Sequence, residues 1–277
     1  INKFHSTFID SIQRYVHKGR IHAEINQLRS DQGGTVSGRL SYSNPNLQQI
    51  PARNKEYGDK IRSLFLPEEG KQWGSFDYSQ QEPRLVAHYA ASIDENFTGA
   101  QEFITAYQNE AADFHQIVAD MAGISRTQAK TINLGLFYGM GKAKLSKELG
   151  ISKDAAENLL GKYHNRVPFV KKLAEAVMSS ASKYGFIRTI KGRKCRFDMW
   201  EPATFGMNKA MQYEEAKAIY GNNIRRAFTY KALNRLIQGS AADQTKQAMI
   251  ECYKQGFKPM LQIHDELCFS INEESDI

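Results

Sequence analysis

The chain has 277 residues, 41% of them apolar and 24% charged, with a formal net charge of +7 and a pI near 9.1. Such a mix describes a soluble globular protein long enough for one large domain or two smaller ones, and the cationic excess suits a polyanionic partner without specifying one. Three scattered cysteines, Cys195, Cys252 and Cys268, argue against a disulfide scaffold, give no zinc-finger spacing and suit a reducing compartment; no apolar run approaches a membrane span and no signal peptide is evident.

Residues 1–28 are predicted helical, because FIDSIQRYVHKG carries apolar residues at helical spacing and stops at Gly19. RSDQGGTVSGRLSYSNPNLQQIPARN, rich in Gly, Ser, Asn and Pro, predicts loop with short strands, anchored by Leu40, Leu47 and Ile50. QWGSFDYS reads as a strand that ends at an acid, and EPRLVAHYA as a helix with Pro83 in its first turn. Residues 100–124 and the segment RTQAKTINLGLFYGMG (126–141) read as helices, with helical material continuing to about Ser182. YGFIRTIKGRKCRFD predicts a basic hairpin, residues 205–255 a largely helical region, and KPMLQIHDELCFSI a strand, a tight turn at His264-Asp265-Glu266 and a second strand.

Two of these strands deliver an acid: Asp77 after WGSF and Asp265 after MLQI, an apolar run broken by Gln262. If the strands are neighbours, the carboxylates converge. Two hard oxygen donors then suit Mg²⁺, and a pair of ions about 3.5–4 Å apart can clamp the attacking and leaving oxygens of a phosphoryl transfer. The plain alternative is two acids at surface turns. The helix that starts at Arg126 bears on the choice, since Arg126, Lys130, Leu134 and Tyr138 fall on one face. Two cations about 6 Å apart along the axis can grip a triphosphate, with Tyr138 ~18 Å from Arg126. Leu134 can cover a sugar, Tyr138 can abut a base pair, and His115 in the preceding DFH can add a phosphate donor. Gly135 and Gly139 leave bare backbone where a base pair would need close approach.

FDYSQQEPRL (76–85), RTQAKTINLGLFYGMG (126–141) and LQIHDEL (261–267) resemble motifs A, B and C of the family A DNA polymerases, the bacterial polymerase I type with its phage and organelle relatives. TVSGRLSYSNPNLQQIP (35–51), DFH (113–115) and NRLIQGSAADQTK (234–246) resemble three further blocks of that family, in the same order. The resemblance implies an α+β fold: an antiparallel palm sheet with mostly α-helical fingers inserted. Palm segments would occupy 1–98 and 205–277, and fingers 99–204. Thumb and exonuclease would lie outside this stretch of a longer protein. The implied activity is template-directed addition of deoxynucleotides to a primer 3′-OH with two Mg²⁺ ions. Asp77 and Asp265 would be metal ligands, helped by the Tyr78 carbonyl, with Glu266 as an auxiliary acid. Arg126, Lys130 and His115 would hold the triphosphate, and Lys130 would also protonate the departing pyrophosphate. Glu82 would exclude a ribose 2′-OH, while Tyr138 would stack near the templating base. Arg39, Asn234, Gln238, His264 and Tyr230 would contact primer or template. The expected partners are primer–template DNA and deoxynucleoside triphosphates, with a processivity factor left open. A monomer, away from membranes, is expected in a bacterial or phage-infected host cytoplasm, with an organelle as the other setting.

The chain departs from the family pattern at several points. Leu134 stands where Phe or Tyr is usual, Gln81 and Pro83 replace aliphatic residues, and Ser37 replaces Thr. Tyr230 replaces a bacterial Arg and resembles the phage T7 branch. Three other readings compete: a single-subunit RNA polymerase-like enzyme, a non-catalytic nucleic-acid-binding fragment and a two-metal nuclease. Glu82 and GSAADQTK favour DNA synthesis over RNA synthesis.

Overall fold

A computed structural model describes residues 5–30, 33–51, 56–93, 104–105, 113–137, 140–204 and 209–272. Two compact units result, one formed by Ile1–Ser79 with Ala241–Ile277 and the other by Gln80–Ser240. Among the described residues no helix is long and apolar enough to cross a membrane.

The first described residues form a wide helical turn, His5–Asp10, and a short α-helical stretch, Ser11–Gln13. The expected helix to Gly19 ends there. Strands β1 (Val16–His17) and β2 (Arg20–Ile21) pair antiparallel instead, closed by Lys18 and Gly19 at φ 51° and 75°. Two left-handed residues match the twist of a hairpin, and glycine occupies one of them without a Cβ penalty. Strand β3 (Glu24–Asn26) pairs with β4 (Ser41–Ser43), inside the stretch expected to be loop with short strands. A single turn, Leu47–Gln49, follows, capped by the Asn46 side chain, and then α1 (Gly58–Arg62).

The sheet that matters for function has β11 (Glu266–Ile271) at its centre, with β10 (Pro259–Ile263) on one side and β5 (Gln72–Asp77) on the other, all antiparallel. Strand alternation sends Leu267, Phe269 and Ile271 to one face, where Ala248, Met249, Cys252 and Phe257 cover them. Phe76 meets Phe269 edge-on at 5.8 Å. A Cβ at Gly74 would lie 2.9 Å from the Phe76 ring and 3.2 Å from Ile271, so the close fit of these side chains demands glycine. Burial of each large side chain contributes about 1.5–3 kcal/mol.

The other unit is mostly helical. Its helices are α2 (Gln81–Ile93), α3 (Phe114–Ala122), α4 (Arg126–Phe137), α5 (Lys142–Leu149), α6 (Lys153–Arg166) and α7 (Pro168–Tyr184). Sequence punctuation sets their ends: Asp113 and Ser152 side chains cap α3 and α6, and Pro168 opens α7. Phe114, Val118, Ile132, Leu145, Tyr163, Phe169 and Leu173 are fully buried among them. The expected basic hairpin forms from β6 (Phe186–Arg188) and β7 (Lys194–Arg196), with Lys194 over the Phe186 ring at 4.7 Å. Residues 205–255 are less helical than expected. Helix α8 (Tyr213–Tyr220) gives way to β9 (Ile224–Arg226), which pairs with β8 (Trp200–Pro202) and sets Arg226 4.6 Å over the Trp200 ring. That pairing and stacking outweigh the local helical pattern. The last helix, α9 (Ala232–Lys254), carries the chain from the second unit back into the first.

Candidate functional site

Asp77 is the last residue of β5 and pairs directly with Glu266, the first residue of β11. His264 and Asp265 form the two-residue turn between β10 and β11, whose flanking residues Ile263 and Glu266 face each other. One end of the sheet thus gathers Asp77, Asp265 and Glu266. Partial burial, then the charges of Asp265 and Glu266, push the Asp77 carboxyl above the usual carboxylate range, against a bond from the Tyr78 backbone. Glu266 is occupied sideways. It accepts from the Ser75 hydroxyl and the Cys268 thiol, and Arg62 of α1 lies 3.7 Å away. Burial, then Glu266, pushes that thiol up to about 11. Asp77 and Asp265 remain as the acids for a ligand. Among the described residues no three His, Cys, Asp or Glu side chains form a metal cage. Two crowded carboxylates still suit a hard divalent cation whose other ligands are backbone carbonyl, water or phosphate oxygens.

His264 holds φ at 58°, a left-handed conformation uncommon outside glycine. The buried Gln262 side chain donates to the His264 carbonyl and accepts from Gln48 at 3.1 Å, bracing the turn. The polar break in MLQI was the sequence signal for this brace. Arg39 and His264 line one small cleft with Lys246 and Gln262. Tyr78, 40% exposed, stands with Asp77 at the rim of a cavity of about 350 Å³ between the sheet and Ala248, Cys252 and Gln255 of the last helix and its end.

In the helical unit, α4 buries Ala129, Ile132 and Asn133 completely and leaves Arg126 and Lys130 exposed. The Arg126 guanidinium rests on Asp113 Oδ2 at 2.7 Å, while Asp113 Oδ1 accepts from the backbone N–H groups of His115 and Gln116. One carboxylate therefore starts α3 and orients the first cation of α4. Burial opposes its charge, yet the bond from Arg126, reinforced by the two N–H groups, holds the Asp113 carboxyl below the usual range. Burial first, then the charges of Lys130 and Arg126, hold His115 below its ordinary value, with Asp113 opposing. His115, Arg126 and Lys130 are thus close enough to feel one another. Asp113→Ala should cost about 1–2 kcal/mol, as lost helix caps do, and let Arg126 swing free; urea unfolding with and without added triphosphate measures both effects.

Leu134 is half-buried one turn beyond Lys130. Tyr138 and Gly139 lie outside the described residues. The bare backbone at Gly135, assigned above to an approaching base pair, is filled by Met140: a Cβ there would fall 1.8 Å from its terminal methyl. Glu82 is half-buried in the first turn of α2, flanked by the buried side chains of Gln81 and Pro83. Gln80, at φ 53°, accepts from the Phe114 N–H and links the starts of α2 and α3. Asn234 and Gln238 lie half-buried on α9, one turn apart, and Tyr230 is 58% exposed in the short turn before it. Asn133 and Tyr163 carry no signal in the sequence, while Gln262 shows there only as the break in MLQI and Asp113 only as part of DFH, although an Asp just before a helix is a capping signal.

Fold and site together describe an α+β protein with acids at the end of an antiparallel sheet and a cationic helix face. The sequence matches the DNA polymerase family A model over residues 1–276, and the chain belongs to that family. It is 38% identical to a DNA-directed DNA polymerase of Pseudomonas phage M6, over 99% of this chain and 45% of that protein. It is 33% identical to the thermostable DNA polymerase I of Thermus filiformis, over 99% of this chain and 31% of that protein. Among solved structures it resembles the POL domain of Pol1 from M. smegmatis, in complex with DNA primer-template and dNTP, with a TM-score of 0.72 at 31% identity, over 96% of this chain and 44% of that one. The chain spans less than half the length of these relatives.

Proposed function

We propose that this chain carries the nucleotidyl-transfer centre of a template-directed DNA polymerase. The observation that carries the reading is the meeting of Asp77 and Asp265 at one sheet end, in a chain of this family. Residues 1–98 and 205–277 would serve as palm and 99–204 as fingers, with primer–template DNA and deoxynucleoside triphosphates as partners and a monomer as the working unit. Asp77 and Asp265, with the Tyr78 carbonyl, would hold two Mg²⁺ ions, which supply charge neutralisation and a lowered pKa at the primer 3′-OH.

The chain's own residues do the rest. Arg126, Lys130 and His115 orient the triphosphate for in-line attack, and Lys130 delivers a proton to the leaving pyrophosphate. Glu82 occupies the space a ribose 2′-OH would need. Tyr230, Asn234 and Gln238 in one unit, and Arg39 and His264 in the other, would contact primer and template. A positive net charge lets such a surface neutralise duplex phosphates.

Primer extension by this chain with Mg²⁺, dNTPs or rNTPs tests the reading. Extension with dNTPs alone is expected, extension with rNTPs would indicate an RNA polymerase, and primer shortening without nucleotides would indicate a nuclease. Leu134→Tyr should change dideoxynucleotide incorporation relative to dNTPs, by about tenfold if the ring gains one good contact to the sugar. Equal incorporation by both forms would remove Leu134 from sugar discrimination.

A further inference from the structure

A buried polar relay crosses the helical unit: Tyr163 on α6, Asn133 on α4 and His115 on α3. Tyr163 and Asn133 are 0% exposed and His115 8%. The Tyr163 hydroxyl donates to Asn133 Oδ1 at 2.6 Å, and Asn133 Nδ2 lies 3.1 Å from His115 Nδ1. With the Asn133 amide in this orientation the hydrogen bonds run one way. With its oxygen taken by the phenol, Asn133 presents its NH₂ group to the ring, and an amide N–H only donates. Nδ1 must accept, so a neutral His115 carries its proton on Nε2. An imidazolium would set one N–H against another. Among the described residues nothing bonds Nε2.

The charged surroundings agree. Asp113 faces His115 from the α3 cap, Arg126 and Lys130 from α4, and the Tyr163 phenol stands behind Asn133 from α6. Burial, then the two cations, favour the neutral ring, against Asp113. Three fully or nearly buried polar groups would add little to packing that apolar residues could not supply, whereas a satisfied relay fixes one orientation.

We propose that Asn133, held by Tyr163, is a positioning residue that keeps His115 in the Nε2–H tautomer. His115 then offers an incoming triphosphate a single directional hydrogen bond beside the two cations, not a third positive charge. The inference rests on the polymerase reading for its ligand, and its tautomer arm does not. Asn133→Asp places an acceptor at Nδ1 and turns His115 into a stabilised imidazolium.

The test combines long-range ¹H–¹⁵N spectra of the histidine rings with steady-state primer extension. The variants are Asn133→Asp, Tyr163→Phe, His115→Gln and His115→Asn, with the His115 signals assigned by their loss in His115→Gln. Wild type should show the Nε2–H tautomer. Asn133→Asp should protonate His115 at higher pH than wild type, and its KM for dNTP should acquire a matching pH dependence while kcat stays within about threefold. Tyr163→Phe, which removes one hydroxyl and keeps the packing, should mix the tautomers and raise KM. His115→Gln, whose amide N–H partly stands in for Nε2–H, should raise KM less than His115→Asn, which should raise it about tenfold. A wild-type Nδ1–H tautomer, or an Asn133→Asp titration and KM profile equal to wild type, overturns the inference while leaving an extending polymerase intact. The expected tautomer in a chain that neither binds dNTP nor extends a primer overturns the polymerase reading, and this role for Asn133 with it.

Discussion

Asp77→Asn and Asp265→Asn should each lower primer extension by at least about a thousandfold, because each removes one of the two hard anionic donors on which a two-metal transfer depends. Duplex binding should stay within about threefold of wild type, since the proposed phosphate contacts lie on cations elsewhere. The unmetallated protein should tolerate Asp77→Asn well, and even gain from it. Asp77 is crowded by Asp265 and Glu266, and its carboxyl is raised in the folded state. A folded-state value above the unfolded one means that the native chain binds the proton more readily. Stability therefore falls as pH rises through the interval between the ordinary carboxylate value and the raised one, and the penalty persists above it. Asp77→Asn abolishes that dependence. Thermal unfolding in EDTA across pH 3 to about 7 measures it, and added Mg²⁺ should raise the wild-type midpoint but not that of Asp77→Asn. A variant that keeps its activity, or responds to Mg²⁺ like wild type, would remove Asp77 from the metal site.

Glu266 is the informative neighbour. In sequence it stands beside Asp265 and looks equivalent; in the fold it belongs to Arg62, Ser75 and Cys268. Register explains the difference: Glu266, Cys268 and Ser75 share a face and can reach one another along the sheet, whereas Asp265 lies in the turn before the strand.

What could be read from the letters follows the range of the interactions involved. The strands before Asp77 and Asp265, the basic hairpin and the helix from Arg126 depend on local alternation, helical spacing and turn residues, and they formed as expected. The first helix failed at Lys18-Gly19, where pairing of Val16 with Ile21 decided the outcome. The bare backbone at Gly135 suits an approaching base pair, but Met140, which follows the helix, accounts for it. Asn133 has no legible signal in the sequence because its partners lie 18 and 30 residues away. On its own helix it is one polar residue among many, and only the fold shows it buried. Arg126 was recognised as a cation, while its anchoring on Asp113 required the approach of α3 to α4.

Lys130→Ala should lower kcat by about a hundredfold or more, the range in which loss of a positioned general acid falls. Arg126→Ala should act mainly on KM. The two cations are one turn apart on α4 and both are exposed, but their surroundings differ. Arg126 is already oriented by Asp113 and makes a fixed fork suited to gripping phosphate oxygens. For Lys130 the described residues provide no ion pair, and a flexible ammonium can follow the charge that grows on the leaving group. Lys130→Arg keeps the charge but cannot give up a proton near neutral pH, so it should restore KM and leave kcat low. Single-turnover rates over a range of pH separate these roles. The single-turnover rate should fall in Lys130→Arg and stay near wild type in Arg126→Lys. If Lys130→Arg recovers full kcat, Lys130 serves only as a charge, and pyrophosphate takes its proton from water.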